Sequence, residues 1–459
     1  VTPSDRPARS RRGRPKPDPA RRAAFDLLRA VDERGSYANL ALPEILRQAG
    51  LTGRDAAFAT ELGYGTLRGH GTYDAVIAAC IDRPLDEVDA AVLDVARLGA
   101  HQLLAMRVPT HAAVAATVEL GRAVLGDGRA KFVNAVLRRV SETELEAWLE
   151  RVAPAYDVDP VGHLAVRYSH PRWIVSALCD ALGGSLEETA ELLAADNTPA
   201  EVSLVARPGR ATVAELLDAG AREGRWSPYA ATWPGGDPAA LPAVRERRAG
   251  VQDEGSQLAA LALAAAPVEG RDEVWLDLCA GPGGKAALLG GVGAGRGARL
   301  LAVELAPHRA RSVARAVGSD TEVVVGDGLV PAWRAGAFDR VLVDAPCTGL
   351  GALRRRPESR WRRQPTDVGT LVDLQRNLLG SALDATRAGG VVAYVTCSPH
   401  LAETRVVVLD LLRKRSDVEQ LDARPFFPGV PDLGDGPHVQ LWPHRHGTDA
   451  MFTALLRRT

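Results

Sequence analysis

The sequence predicts a multidomain chain: an all-α helical bundle at the N-terminus, a small α+β linker module, and a doubly wound α/β domain at the C-terminus. Three observations carry that expectation. Apolar residues recur at helical spacing through the first third of the chain, where strand signals are nearly absent. Four short apolar runs in the second half each end in a polar or acidic residue, and the first of them opens into a glycine-rich turn. The 459 residues are 46% hydrophobic and 25% charged, which leaves room for two or three cores, and there is no 18-residue apolar run of the kind that spans a bilayer. The formal net charge is -1, so a polyanionic partner would have to be met by local basic patches.

Residues 1–19 form a proline- and arginine-rich tail expected to be disordered. The first 22 residues hold eight Arg or Lys and no apolar segment, so no signal peptide is expected. From 20 to 145, the stripes Ala23-Phe25-Leu27-Leu28-Val31, Phe58-Leu62-Tyr64-Leu67 and Val88-Ala91-Val92-Val95-Leu98 predict amphipathic helices. Arg138 and Arg139 end one of these; they suit phosphate contacts, although a basic pair also complements the helix macrodipole. Residues 146–250 continue as helices, with Tyr168 to Trp173 as a helix entry, and then become short strands and turns such as Val202 to Val205. Residues 251–459 make the final domain, opened by a helix from Val251.

The run Val274-Trp275-Leu276-Asp277-Leu278 reads as a central strand, and Cys279-Ala280-Gly281-Pro282-Gly283-Gly284-Lys285 as a turn whose glycines let backbone approach a ligand; a helix is expected from Ala286. A phosphate loop would need Ser or Thr after Lys285, where Ala286 stands, and the dinucleotide fingerprint is incomplete. Further strands end at Glu304, Asp327 and Asp344. On a parallel sheet these acids share the carboxyl edge, with Glu304 suited to ribose hydroxyls and Asp327 to an adenine amino group. The pattern resembles that of S-adenosylmethionine-dependent methyltransferases, which implies a Rossmann-like class I domain.

Five cysteines, an odd and sparse set, argue for a reducing, cytoplasmic setting and against a metal site. Cys347 follows the strand ending at Asp344, and Cys397 closes a fifth strand, so both thiols are expected beside the cofactor. Carbon 5 of cytosine takes a methyl group from a sulfonium only after activation, which a thiolate provides by adding at carbon 6. Asp344 is the candidate to stabilise the adduct near ring nitrogen 3. Between the thiols, Leu353 to Arg363 holds six arginines and one tryptophan. Trp361 could stack on a base while Arg354, Arg355, Arg356 and Arg360 neutralise phosphates.

The blocks Asp277 to Lys285, Asp344-Ala-Pro-Cys-Thr-Gly and Thr396-Cys-Ser resemble those of the RNA 5-methylcytosine methyltransferases of the Sun/Fmu family. Glu61 to Arg68 and Lys131 to Arg139 are similar to the NusB-type RNA-binding bundle, which precedes the catalytic part in the RsmB-type branch acting on small-subunit ribosomal RNA. The resemblance implies that Cys397 attacks and Cys347 assists product release, whereas DNA-type enzymes use the Pro-Cys thiol as nucleophile. It implies cofactor contacts at Cys279 to Lys285, Glu304, Asp327 and Asp344, with Lys285 serving the donor's surroundings or the target nucleotide. The expected partner is ribosomal RNA with an unpaired or loop cytosine, bound by a monomer without metal or membrane. Alternatives are another RNA such as tRNA, DNA or a small molecule, and a non-catalytic RNA-binding or antitermination factor with a degenerate fold. Thr448-Asp449-Ala450 departs from the family's Thr-Asp-Gly.

Overall fold

The computed structural model describes residues 17–318 and 321–459. The basic tail therefore lies, except for its last three residues, outside the described residues. Two compact units are present, one ending at His170 and the other beginning at Pro171.

The first unit contains helices α1 (Pro19–Arg34), α2 (Ala38–Gln48), α3 (Gly53–Arg68), α4 (His70–Ala79), α5 (Ala90–Leu104), α6 (Thr110–Leu125), α7 (Asp127–Val140), α8 (Leu145–Val152) and α9 (Pro160–Arg167), with no strand among its described residues. Asp18 starts α1 by accepting from Arg21 N at 2.8 Å, with Pro19 in the first turn, where its missing N–H is harmless. The predicted stripes meet in one core that includes Leu27, Leu62, Val95, Leu98 and Leu137. Helices α8 and α9 belong to this unit although they lie beyond residue 145. Thr72 Oγ1 donates to Val166 O at 2.6 Å and Gly71 N to Ser169 Oγ at 2.8 Å.

The second unit opens with α10 (Arg172–Ala181) and α11 (Leu186–Asp196). A small module follows: β1 (Val202–Ala206), α12 (Val213–Asp218), β2 (Arg222–Glu223), β3 (Ala230–Trp233), α13 (Pro242–Arg245) and β4 (Ala249–Val251). Its antiparallel strands run in the order β2-β3-β1-β4 over a core of Leu204, Leu216 and Leu241.

The large domain comprises α14 (Glu254–Ala265), β5 (Val274–Asp277), α15 (Gly284–Ala294), β6 (Arg299–Glu304), α16 (Pro307–Val317), β7 (Thr321–Val325), β8 (Phe338–Asp344), α17 (Ser359–Arg362), α18 (Pro365–Ala385), β9 (Thr386–Thr396), α19 (Arg405–Lys414), β10 (Val418–Leu421), β11 (Val439–Gln440), α20 (Pro443–His446) and β12 (Phe452–Arg458). The sheet order is β10-β12-β9-β8-β5-β6-β7, with β11 on β12. Strands β5 to β9 are mutually parallel, whereas β12 is antiparallel to β9, β10 and β11. Alternate residues enter opposite cores: Trp275 and Leu342 pack with α14 and α15 side chains, while Leu276, Val341 and Val343 pack with those of α18. The chain passes from β5 outward to β6 and β7, then returns to β8 on the other side of β5. That reversal opens a crevice at the carboxyl ends of β5 and β8, where open α/β sheets bind ligands.

Candidate active site

The turn after β5 is fixed by main-chain bonds from both neighbours, Leu278 N to Leu342 O and Ala280 N to Val303 O, each 2.9 Å. Gly281 N then donates to Glu304 Oε2 at 3.0 Å, and Arg309 Nη2 donates to Gly281 O at 2.9 Å. A Cβ at 281 would lie 2.3 Å from Glu304 Oε2. Gly283, at φ +113°, is in the conformation that side chains disfavour and starts α15 two residues before the expected Ala286. Glu304 is buried at the end of β6 and also accepts from Ala306 N at 3.0 Å. Asp327 is exposed after β7, where its Oδ1 accepts from Leu329 N at 2.9 Å. Leu305, Leu329 and Val330, adjacent in sequence to these acids, leave apolar surface exposed.

Asp277, at the tip of β5, was not singled out by the sequence. It is 1% exposed, and apart from the Cys279 main chain no donor reaches its carboxyl oxygens. Burial, reinforced by Asp344, pushes it up to about 8. Burial likewise raises the Cys279 thiol, which keeps it protonated and unreactive.

Across the crevice, Lys285 Nζ donates to Asp344 Oδ2 at 2.9 Å. Burial works against the Lys285 ammonium, yet Asp344, Cys397 and Asp277 hold it above its ordinary value. The Sγ atoms of Cys347 and Cys397 lie 3.5 Å apart. Main-chain bonds bring their loops together: Ala345 N reaches Val395 O and Gly351 N reaches Cys397 O, both at 2.9 Å. The hydrogen bond from Cys347 lowers the Cys397 thiol and Lys285 adds to this, against burial and Asp344. The same bond and then burial hold Cys347 well above its ordinary value. One hydrogen bond thus links the two thiols, with Cys397 shifted down and Cys347 shifted up from an isolated cysteine.

Comparison with known proteins gives the family. A model of the 16S rRNA methyltransferase RsmB/F family matches residues 262–457, and a NusB family model matches residues 18–142. A Mycobacterium tuberculosis protein described as a methyltransferase is 56% identical over 454 residues, 98% of this chain and 99% of its own length. The ribosomal RNA small subunit methyltransferase B of Vibrio cholerae is 30% identical over 449 residues, 95% of this chain and 96% of its own. The chain belongs to the RsmB/F family. Two solved structures share the fold: PH0851, with TM-score 0.79 at 22% identity over 97% of this chain and 99% of that one, and NSun6 from Pyrococcus horikoshii, with TM-score 0.54 at 17% identity over 63% and 98%. As an RsmB/F member the chain is an S-adenosylmethionine-dependent RNA methyltransferase, with NusB-like helices preceding a Rossmann-like methyltransferase domain.

The arginine segment of this RsmB/F chain differs from the expectation. Arg360 is completely buried, donating to Asn197 Oδ1 at 2.8 Å and to Asp196 O at 2.9 Å, so it is a structural residue and not an RNA contact. Arg354 Nη2 donates to Gly447 O at 2.7 Å, and Arg355 is ion-paired with buried Asp449. These side chains tie the segment to α11 and to the approach to β12, partners that the local sequence does not reveal. Arg356 is exposed and Trp361 partly so. In the first unit, Arg138 and Arg139 are both exposed, and Arg139 Nη1 donates to Cys80 O at 2.8 Å. Among the described residues, no group of His, Cys, Asp or Glu is arranged to hold a metal ion, and no helix is long and apolar enough to cross a membrane.

Proposed function

We propose that the chain methylates carbon 5 of cytosine in small-subunit (16S) ribosomal RNA through a covalent adduct between Cys397 and carbon 6. The observation that carries this reading is the pair of thiols 3.5 Å apart, close enough to share a proton, next to the Lys285–Asp344 pair. S-adenosylmethionine, when bound, supplies the methyl group. The turn from Cys279 to Lys285 is its cradle, with Glu304 for the ribose hydroxyls and Asp327 for adenine. Asp277 supports this fit, because a buried carboxyl group that only the Cys279 main chain reaches suits the donor's cationic end.

Cys397 thiolate adds to carbon 6, and the electron pair released makes carbon 5 nucleophilic. Asp344, held by Lys285, faces the nitrogen 3 side of the ring and steadies the adduct. After methyl transfer, a base takes the carbon 5 proton, the carbon 5–carbon 6 double bond re-forms and Cys397 leaves as thiolate. Cys347 is placed to assist that release. The cytosine has to be unstacked to reach both thiols, which favours a loop or unpaired nucleotide. In the same reading, residues 20–145 bring the RNA, with Arg138 and Arg356 as exposed contacts and the partly exposed Trp361 near Arg356 in sequence, 146–250 connect, and 251–459 catalyse as a cytoplasmic monomer.

Tritium release from RNA labelled at cytosine carbon 5 tests this. Cys397→Ala is expected to abolish release and leave no adduct, while Cys347→Ala accumulates protein covalently held on RNA. The reverse pattern overturns the assignment and indicates the DNA-type arrangement. Release from tRNA or DNA but not ribosomal RNA would move the substrate, and donor binding without release from any of them would leave a non-catalytic RNA-binding factor.

A further inference from the structure

Glu403, which closes the short 3-10 turn Leu401–Glu403 after the Cys397 loop, is completely buried. Its carboxylate accepts four hydrogen bonds. Oε1 takes Thr348 N at 2.8 Å and Gln375 Nε2 at 3.0 Å, and Oε2 takes Thr348 Oγ1 at 2.5 Å and Ser398 Oγ at 2.6 Å. Thr348 follows Cys347 in the chain and Ser398 follows Cys397, so one carboxylate anchors both cysteine loops. The anchor is itself held, because Tyr394 OH donates to Glu403 O at 2.7 Å and Gln375 Nε2 also reaches Pro346 O at 2.9 Å. The four donors meet the acceptor sites of the carboxylate, which is what lets a charge sit fully buried between the two loops.

The charge of Glu403 is placed unequally. It bonds twice to the residue beside Cys347 and acts on that thiol, whereas the ammonium of Lys285 acts on Cys397. The other charged or titratable groups facing the pair are Asp344 from β8, Tyr394 from β9 and Arg355 with Asp449 from the arginine segment and the approach to β12. Arg363 donates to the carbonyls of Cys347 and Thr348 at 3.4 and 3.1 Å. We propose that Glu403 is a positioning residue that decides which of two chemically identical thiols keeps the proton, so that Cys397 attacks and Cys347 does not. The inference rests on the adduct chemistry proposed above and deepens it: the Glu403 carboxylate bonds twice to Thr348 beside Cys347 and once to Ser398 beside Cys397, whereas on the Cys397 side Asp344 and Asp449 are opposed by the Lys285 ammonium.

The test uses the full chain and two readouts. Without RNA, iodoacetamide labelling followed by mass spectrometry reports how reaction divides between Cys347 and Cys397 across pH. Wild type labels Cys397 first. Glu403→Gln keeps the shape and removes the charge. It is expected to shrink that preference about tenfold, and to lower kcat on the order of ten- to a hundredfold while KM for RNA changes less than about twofold. Thr348→Val and Glu403→Asp keep the charge, so they keep the labelling preference even where kcat falls. Retention of the wild-type preference in Glu403→Gln, or its loss in Glu403→Asp, overturns the proposal. Failure of the methylation reading looks different: wild type would then form no adduct with RNA however its thiols are labelled.

Discussion

The glycine turn at 281–284 and the arginine segment at 353–363 are the two most conspicuous stretches of the sequence, and they depend on different kinds of information. The turn is conspicuous because of its backbone. Gly283 needs a left-handed φ and Gly281 needs an absent Cβ beside Glu304, requirements written into the residues themselves. The segment is conspicuous because of its charge, and the fate of a charge depends on partners elsewhere. Asp196, Asn197 and Asp449, all far away in sequence, take up arginines that would otherwise present to a polyanion. Local conformation is therefore a firmer guide to a site than local charge.

The comparison breaks first at Arg360. Arg360→Met should destabilise the chain by about 2–5 kcal/mol in denaturant unfolding, because it leaves the buried Asn197 Oδ1 and Asp196 O without their donor, while RNA affinity stays within about twofold. Loss of RNA affinity with unchanged stability would return the residue to the RNA surface. Next is Gly283→Ala, which forces a side chain into φ +113° with its Cβ 2.9 Å from Val313 Cα. A loss of about 1–3 kcal/mol is expected, with donor affinity by calorimetry falling alongside. Stability loss with intact donor binding would make the turn merely structural.

A pH-dependent effect sharpens the cradle itself. Because Asp277 is raised to about 8, the unfolded chain loses this proton well before the folded chain does as pH rises. The contribution of the neutral form to stability is therefore complete below about pH 4 and lost progressively up to about pH 8, at no more than about 1.4 kcal/mol per unit. Asp277→Asn should flatten that decline in pH-dependent melting of the donor-free protein. Donor binding to wild type should release a proton below pH 8, visible as a buffer-dependent calorimetric heat that the variant lacks.

How much was legible follows the same division. The runs ending at Asp277, Glu304 and Asp344 read as strands because both faces are buried, and their apolar character is nearly unbroken. The strand before Asp327 read as well, although its edge position leaves Val324 and Val325 exposed. Strands β2, β10 and β11 are two to four residues long and take their identity from pairing, so nothing local marked them. The reversed direction of β12 was equally invisible, since alternation is the same whichever way a strand runs. At the site, glycines and cysteines stood out by residue type. Glu403 and Asp277 did not, because one matters for the four donors it gathers and the other for being reached only by the Cys279 main chain.

The bond from Gly351 N to Cys397 O is continued by Ala450 N to Gly351 O at 2.8 Å, and β12 pairs Phe452 with Thr396. Since ribosomes build chains from the N-terminus, the peptide that braces the Cys397 loop emerges after both cysteines have already been made. A half-finished molecule would therefore hold its two thiols without the frame that sets them side by side.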